Sequence, residues 1–460
     1  MRIDSTIYYS VVYYMPLYSP WDLSVVALPW GERPSIYQHV LAHISPELGI
    51  LEGGTALPDE QIVFSTAKLR WVAGAMDNIC NRANSSDASA EEIFTALEAL
   101  ASTAADMQAK DLYAIIARQS VISYVDPLLR LIDERYILPK ERMIAIARWL
   151  ATEAADREAV KLGVALIGHI AETEDMILLF TLGRHEEFTL YAAVALCKTS
   201  TSPEHALWEF ARHVHGWGRV NIIERLSNTQ DDEIKAWMLR EGYRNNIMIE
   251  YTALPCAMGG GLKKALEASE PDEELLTGAG EILSALIAGG PGAGMRAYDD
   301  GLAATELYLT HILARRSELS HFLVADHIDS DLSDLDEDKR WDTSRWLARR
   351  DGLRAIAQAY LSRNDWMSLI HAGLADMDRL RFLMAARVAR AKGVDTWEHF
   401  YSRLSDALRA RVTFFFFLSL LRGIIVRIYY LSHDRIGVAE MGTNGTPAIP
   451  VRPCFNLGGQ

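Results

Sequence analysis

Cysteine is scarce in this chain, with four in 460 residues: Cys80, Cys197, Cys256 and Cys454. They are far apart and form no CxxC pair, which excludes a disulfide framework and a paired-cysteine zinc site. The pattern fits inert buried thiols in a reducing, cytoplasmic compartment. Lysine is scarce as well, supplying ten of the 46 basic side chains. Against these stand 61 acidic residues, for a formal charge of −15. Nucleic-acid binding depends on neutralising phosphates with Lys and Arg. No basic stripe stands out, so nucleic acid is not an expected partner.

Catalytic signatures are missing too. The chain has no HExxH, no GxSxG and no GxxxxGK[ST], the arrangements that metal hydrolysis, acyl transfer and phosphate binding require. His169, His185, His205, His213 and His215 cluster in sequence. However, His213 and His215 are two apart and fall on different faces of a helix. They read as residues of an interhelical turn, with no metal and no cofactor expected. Gly259-Gly260-Gly261 and the Gly290, Gly292, Gly294 run follow helices, so they read as turns. The acidic stretch 326–338 fits neither frame of a calcium loop, because Gly is missing at position six and Glu at position twelve. It reads as a solvated linker. Glu186 and Glu187 are adjacent, and on a helix they would point apart.

One run is long enough to span a bilayer: Val412 to Leu431, VTFFFFLSLLRGIIVRIYYL. Arg422 near its centre costs roughly 2.5–3.5 kcal/mol on the insertion scale, enough to offset about six apolar residues. A membrane anchor is therefore the disfavoured reading. No small-residue cleavage site follows an apolar run near the N-terminus, so no secretory leader is expected.

Half the residues are apolar and 23% are charged, a globular balance. Residues 1–70 are punctuated by Pro16, Pro20, Pro29, Pro34, Pro46 and Pro58. Proline fixes φ and removes a donor, so short helices and loops are predicted, forming an irregular N-terminal cap. Helical patterning follows. Ile93, Phe94, Leu97, Leu100 and Ala101 recur at three- and four-residue steps. Ser89 with Glu92 suggests the capping box of that helix. Asp126-Pro127 and Pro139 open two more helices. Helices are also predicted at Glu273–Ala288, Ala303–Ile312, Arg349–Leu361, Trp366–Ala375 and Leu380–Ala391. Asp395-Thr396 caps a last one running through Leu404.

Three units share one layout between residues 175 and 256: a start, a short helix, a glycine and a second helix. Their starts, Asp175, Pro203 and Asp232, are 28 and 29 residues apart. GRHEEFTLYAAVALC and GYRNNIMIEYTALPC each run 14 residues from glycine to cysteine, with Tyr191 or Tyr251 midway. Gly183 and Gly242 are expected to supply left-handed turns. Helices this short cannot each bury an apolar face alone, so they stack on neighbours.

This layout resembles the HEAT and armadillo class of α-solenoids. Residues 20–405 also resemble uncharacterised bacterial HEAT-repeat proteins, through ALPWGERPSIYQHVLAHI, LRWVAGAMD, HGWGRVNIIERL and DTWEHFYSRL. The resemblance implies an all-α fold, an α-α superhelix of antiparallel helix pairs over 71–410. Residues 411–460 would be an atypical apolar segment with an irregular tail. They lack the polar-faced cap such a stack needs, and read as a divergent or misread C-terminus.

Second helices of such solenoids commonly line a concave face. The candidate binding residues are therefore Trp217, Arg219, Asn221, Glu224 and Arg225, with Arg240, Arg244, Asn245, Asn246 and Glu250 from the third unit. Trp and Arg are frequent interface anchors. The leading expectation is a non-enzymatic scaffold for a protein or peptide. One alternative is an enzyme on a HEAT-like scaffold, of the base-removal or bilin-attachment type. The other is a membrane-attached adaptor using 412–431.

Overall fold

The computed structural model of the protein describes residues 23–45, 49–51, 53–63, 71–80, 86–135, 138–170, 173–290, 292–334 and 343–400. The run 412–431 and the tail lie outside these residues. Contacts divide the chain into two compact units, one ending at Pro203 and the other starting at Glu204. The division falls within the 71–410 stretch that the sequence reads as one solenoid.

In the first unit, frequent prolines keep the opening elements short. They are α1 (Ile36–Ala42), the antiparallel strands β1 (Ile44–Ser45) and β2 (Gly49–Ile50), and α2 (Glu60–Val63). The two-residue strand pair was not expected. A π-helical turn at Met76–Cys80 follows. The longer helices are α3 (Asp87–Thr103), α4 (Asp106–Ile116), α5 (Val125–Arg135), α6 (Lys140–Glu153), α7 (Arg157–Ile170), α8 (Met176–Gly183) and α9 (Thr189–Thr199).

The apolar steps of α3 are buried as its periodicity requires: Ile93, Phe94, Leu97, Leu100 and Ala101 all face inward. Its cap is Ser86, not Ser89. Ser86 has extended backbone, and its hydroxyl accepts the Ser89 N–H at 3.2 Å. The helix thus starts a turn earlier, and Glu92 instead accepts from the Gln119 amide. Pro139 stands at the N-cap of α6, just outside the first turn.

Alternate helices of this unit form layers. α3 packs on α5, α5 on α7 and α7 on α9, while α1 packs against α6 and α8. Each fully buried Leu or Ile contributes about 1.5–3 kcal/mol. α6 and α7 approach so closely that a Cβ on Gly163 would lie 2.7 Å from the Ala147 carbonyl oxygen. The opening segment is fastened to these helices. Trp30 stacks on Tyr113 and Trp149 at 4.8 and 5.1 Å. Arg33 forks onto Asp156, which also accepts from the Tyr113 hydroxyl.

The second unit takes α10 (Pro203–Ala211), α11 (Gly216–Leu226), α12 (Asp232–Trp237), α13 (Glu250–Gly259), α14 (Leu262–Leu266), α15 (Glu273–Ala288), α16 (Gly301–Leu313), α17 (Leu319–Ser333), α18 (Thr343–Leu361), α19 (Trp366–Ala375) and α20 (Arg379–Ala391). A further helix starts at Trp397, where Asp395 accepts the Trp397 N–H at 2.9 Å; its predicted run to Leu404 passes beyond the described residues. α11, α13, α15, α17 and α20 pack in succession, and α14, α16 and α18 form a second row. This two-row packing of consecutive helix pairs is an all-α, α-α solenoid architecture.

Two local expectations need correction. Residues 326–333 belong to α17 rather than to a solvated linker, because Ile328 and Leu332 bury into the core at helical spacing. Neither Gly183 nor Gly242 is left-handed; of the interhelical glycines in the repeats, Gly216 is, with φ 56°. Gly242 instead closes a π turn, Met238–Gly242, where a Cβ would meet the Trp237 ring at 2.8 Å.

Candidate functional site

The ten residues singled out from sequence lie on and around α11, the π turn 238–242 and the start of α13. Five are buried: Trp217, Arg219, Asn221, Asn245 and Glu250. Trp217 packs on Tyr251 with ring centroids 4.8 Å apart. Arg219 has its guanidinium turned inward, where it donates to the carbonyls of Val214, Ala211, Arg244 and Glu241 at 2.9–3.4 Å. It meets oxygens at the end of α10 and in the turn after it, and oxygens in and just beyond the π turn, where helix ends leave carbonyls short of intrahelical donors. Burial pushes its pKa down to about 10. Asn245 donates to the Gly216 carbonyl at 3.0 Å, and Asn221 to that of Trp217 at 2.9 Å. These residues do converge, but as an internal clamp.

Glu224, Arg225 and Arg240 are half-buried, and Arg244 and Asn246 are exposed. Arg225 donates to the Asn221 carbonyl, and Arg240 pairs with Asp272. Arg244 lies 3.7 Å from Glu281. The outward-facing part of the set is thus a mixed polar edge with Arg244 and Asn246 foremost.

A second cluster, in the first unit, was not foreseen. Lys161 on α7 is 1% exposed, and its Nζ lies 2.8 Å from Asp77, 2.8 Å from Glu158 and 2.7 Å from Glu187. One turn earlier, Arg157 forks onto Asp59 at 2.8–3.2 Å and reaches Glu187 at 3.6 Å. Glu187 also accepts the Gly74 N–H, and Tyr191 donates to Asp77. Burial opposes the charge on Lys161, but the three carboxylates outweigh it and raise its pKa well above the ordinary value. Burial would push Glu187 up, yet Lys161 and Arg157 hold it down at about 2. Burial raises Glu158. The ammonium sits where a bound cation would, so the network joins α7 and the 185–188 turn to the segment around Asp59, Gly74 and Asp77. A readable signal did exist: a lysine inside the apolar run AVKLGVALIG. Glu186 and Glu187 lie in the turn between α8 and α9, not on a helix.

The histidines do not form a ligand set. His169, His205 and His213 each face one carboxylate, Asp133, Asp231 and Glu209. His185 is buried, with Nδ1 accepting the Glu187 N–H and Nε2 facing the Thr55 carbonyl. Among the described residues no group of three or more His, Cys, Asp or Glu is placed to hold a metal ion. The thiols divide: Cys256 is buried, while Cys197, at the matching repeat position, is exposed. An open groove of about 470 Å³ lies between α3 and α4.

No family model, no curated protein and no solved structure matches this chain. Its class is defined by its architecture alone: an all-helical protein built by repeat-like packing of consecutive helix pairs. Among the described residues, no helix is long and apolar enough to cross a membrane.

Proposed function

We propose that this protein is a non-enzymatic binding or scaffolding solenoid of the HEAT or armadillo kind, acting in the cytoplasm on a protein or peptide partner. The observation that supports it is the row α11, α13, α15, α17 and α20, packed in succession in the second unit. Repetition of one helix pair multiplies similar faces side by side, which suits an extended partner better than a small ligand. Arg240, Arg244 and Asn246, with Glu224 and Arg225 beside them, are the contact residues of this reading. Its support is architectural; since function belongs to sites and not to folds, these contact residues carry the test.

Native mass spectrometry of the full-length protein from its own source tests the reading. A co-purifying protein in fixed stoichiometry, lost from an R244E/N246A variant that melts normally, is the expected result. A tightly bound small molecule in place of a protein sinks it.

A further inference from the structure

We propose that the groove between α3 and α4 docks a peptide segment of a partner that carries lysine or arginine among small apolar side chains. The proposal rests on the scaffold reading in taking the ligand to be a protein, but its site is built from these two helices alone.

Sequence creates the groove. Ala96 and Ala99 on α3 are too small to fill the space beside Ile115 on α4, and about 470 Å³ stays open. Wide apolar lining at that size suits side chains rather than water alone. Charge then selects the occupant. α3 carries Asp87, Glu91, Glu92 and Glu98 and not one basic residue over its length. α4 adds Asp106 and Asp111 against the single Lys110. Glu91, Glu92 and Asp111 line the groove. Asp111 and Glu98 make no ion pair among the described residues.

Two further details point to a cationic N–H donor. The side-chain oxygen of half-buried Gln108, also in the lining, is shielded from solvent and has no donor among the described residues. A buried acceptor left empty is costly, and a lysine or arginine entering the groove would supply what it lacks. The molecule already shows one basic side chain in this chemistry. Arg135 reaches Glu91 at 2.5 Å and lays its guanidinium over the Phe94 ring at 4.8 Å. Electrostatic complementarity of this kind sets specificity and on-rate.

The test is fluorescence anisotropy of the full-length protein with a labelled twelve-residue peptide repeating Ala-Lys-Leu-Arg. The control peptide carries Glu in place of every Lys and Arg. The basic peptide is expected to bind, more weakly as salt rises, and the acidic one not to bind. Affinity should drop by about tenfold or more in E92K/D111K, which reverses the rim, and in A99W, which fills the floor. Q108L should weaken binding while raising the melting temperature, a combination that a damaged fold would not give. Equal binding of both peptides, or unchanged binding by E92K/D111K and A99W, overturns the proposal. If the basic peptide fails to bind while a stoichiometric protein partner still co-purifies, the groove proposal falls and the scaffold reading stands. If neither binds, both fall.

Discussion

Lys161 Nζ lies 2.8 Å from Asp77 Oδ2, although four whole helices separate the two residues in sequence and neither reaches solvent. That ion pair, with Arg157 and Asp59 beside it, holds the segment before α3 to the middle of the first unit. Four carboxylates share two cations there, so the loss of either cation leaves buried negative charge that the remaining one cannot balance.

Lys161→Met should therefore destabilise the first unit by about 3–5 kcal/mol, the cost of stranding buried charge. Adding Asp77→Leu should recover part of that loss, because an apolar pair strands less than a broken ionic one. Urea unfolding of the single and double variants checks this. Limited proteolysis should also find residues 53–80 cut faster in Lys161→Met.

Acid should weaken the fold. Burial holds His185 neutral and pushes its pKa down to about 4 from an ordinary 6.5, against Glu187 and the Thr55 carbonyl, which favour the proton. The unfolded chain takes up that proton first, so the stabilisation is full above pH 6.5 and disappears as pH falls to 4. A shift of this size is worth on the order of 3 kcal/mol. Burial and Arg219 lower His215 to about 4 as well, with the same sign. Glu187, held at about 2, loses its contribution between pH 4.5 and 2. Glu158, raised by burial, works in the opposite direction in the carboxylate range. The urea midpoint should drop between pH 7 and 5, and His185→Gln should flatten that slope. An unchanged slope in the variant would remove His185 from the account.

Arg219→Lys should cost about 2–4 kcal/mol, the loss of one or two hydrogen bonds from a charged group, although charge is conserved. A lysine carries three donors on one atom and cannot span carbonyls that a guanidinium fork bridges. Hydrogen exchange should speed up at residues 211–215 and 241–246 ahead of the rest of the second unit. Uniform loosening would mean that Arg219 acts through volume instead.

Gly278→Ala should be among the most damaging single-methyl changes in the second unit. A Cβ there would lie 1.9 Å from the Leu239 carbonyl oxygen, a backbone atom that cannot swing aside, and 3.1 Å from the Tyr243 ring. Overpacking of this kind costs about 1–3 kcal/mol, occasionally more, and calorimetry should show a lower melting temperature. Gly352→Ala, where added bulk meets nothing within 4 Å, is the matched control and should melt at or slightly above the parent.

Much of the helical scaffold was readable before any coordinates. Glu273–Ala288 and Trp366–Ala375 begin and end where periodicity and flanking residues place them. Those signals are local, and helices answer to local rules. Ser86 took the cap from Ser89 because a cap depends on which residue leaves helical φ/ψ, which pattern alone does not record. The charge network was out of reach for a different reason: Asp59, Asp77 and Glu187 meet Arg157 and Lys161 only after the chain has folded back over α3 to α6. Residue type also misled around α11. Trp217 and Arg219 have the composition of an interface, yet composition does not tell inward from outward, and both point in.

The inward turn of Arg219 bears on how this chain could have grown. Repeat proteins are commonly pictured as strings of interchangeable parts, lengthened by copying and shortened by excision. Here the guanidinium belongs to α11, and two of the oxygens it serves lie in and just beyond the π turn of the next unit. Excising residues 232–259 would leave that guanidinium without two of its acceptors and bring α15 against a neighbour it was never shaped for. Copying 203–226 alone would create a second arginine that keeps its Ala211 and Val214 acceptors but lacks the two from the next unit. The three units share a spacing, but the seam between the second and the third is individually fitted. The order of these last two is fixed by chemistry, and a viable deletion would have to remove donor and acceptors together.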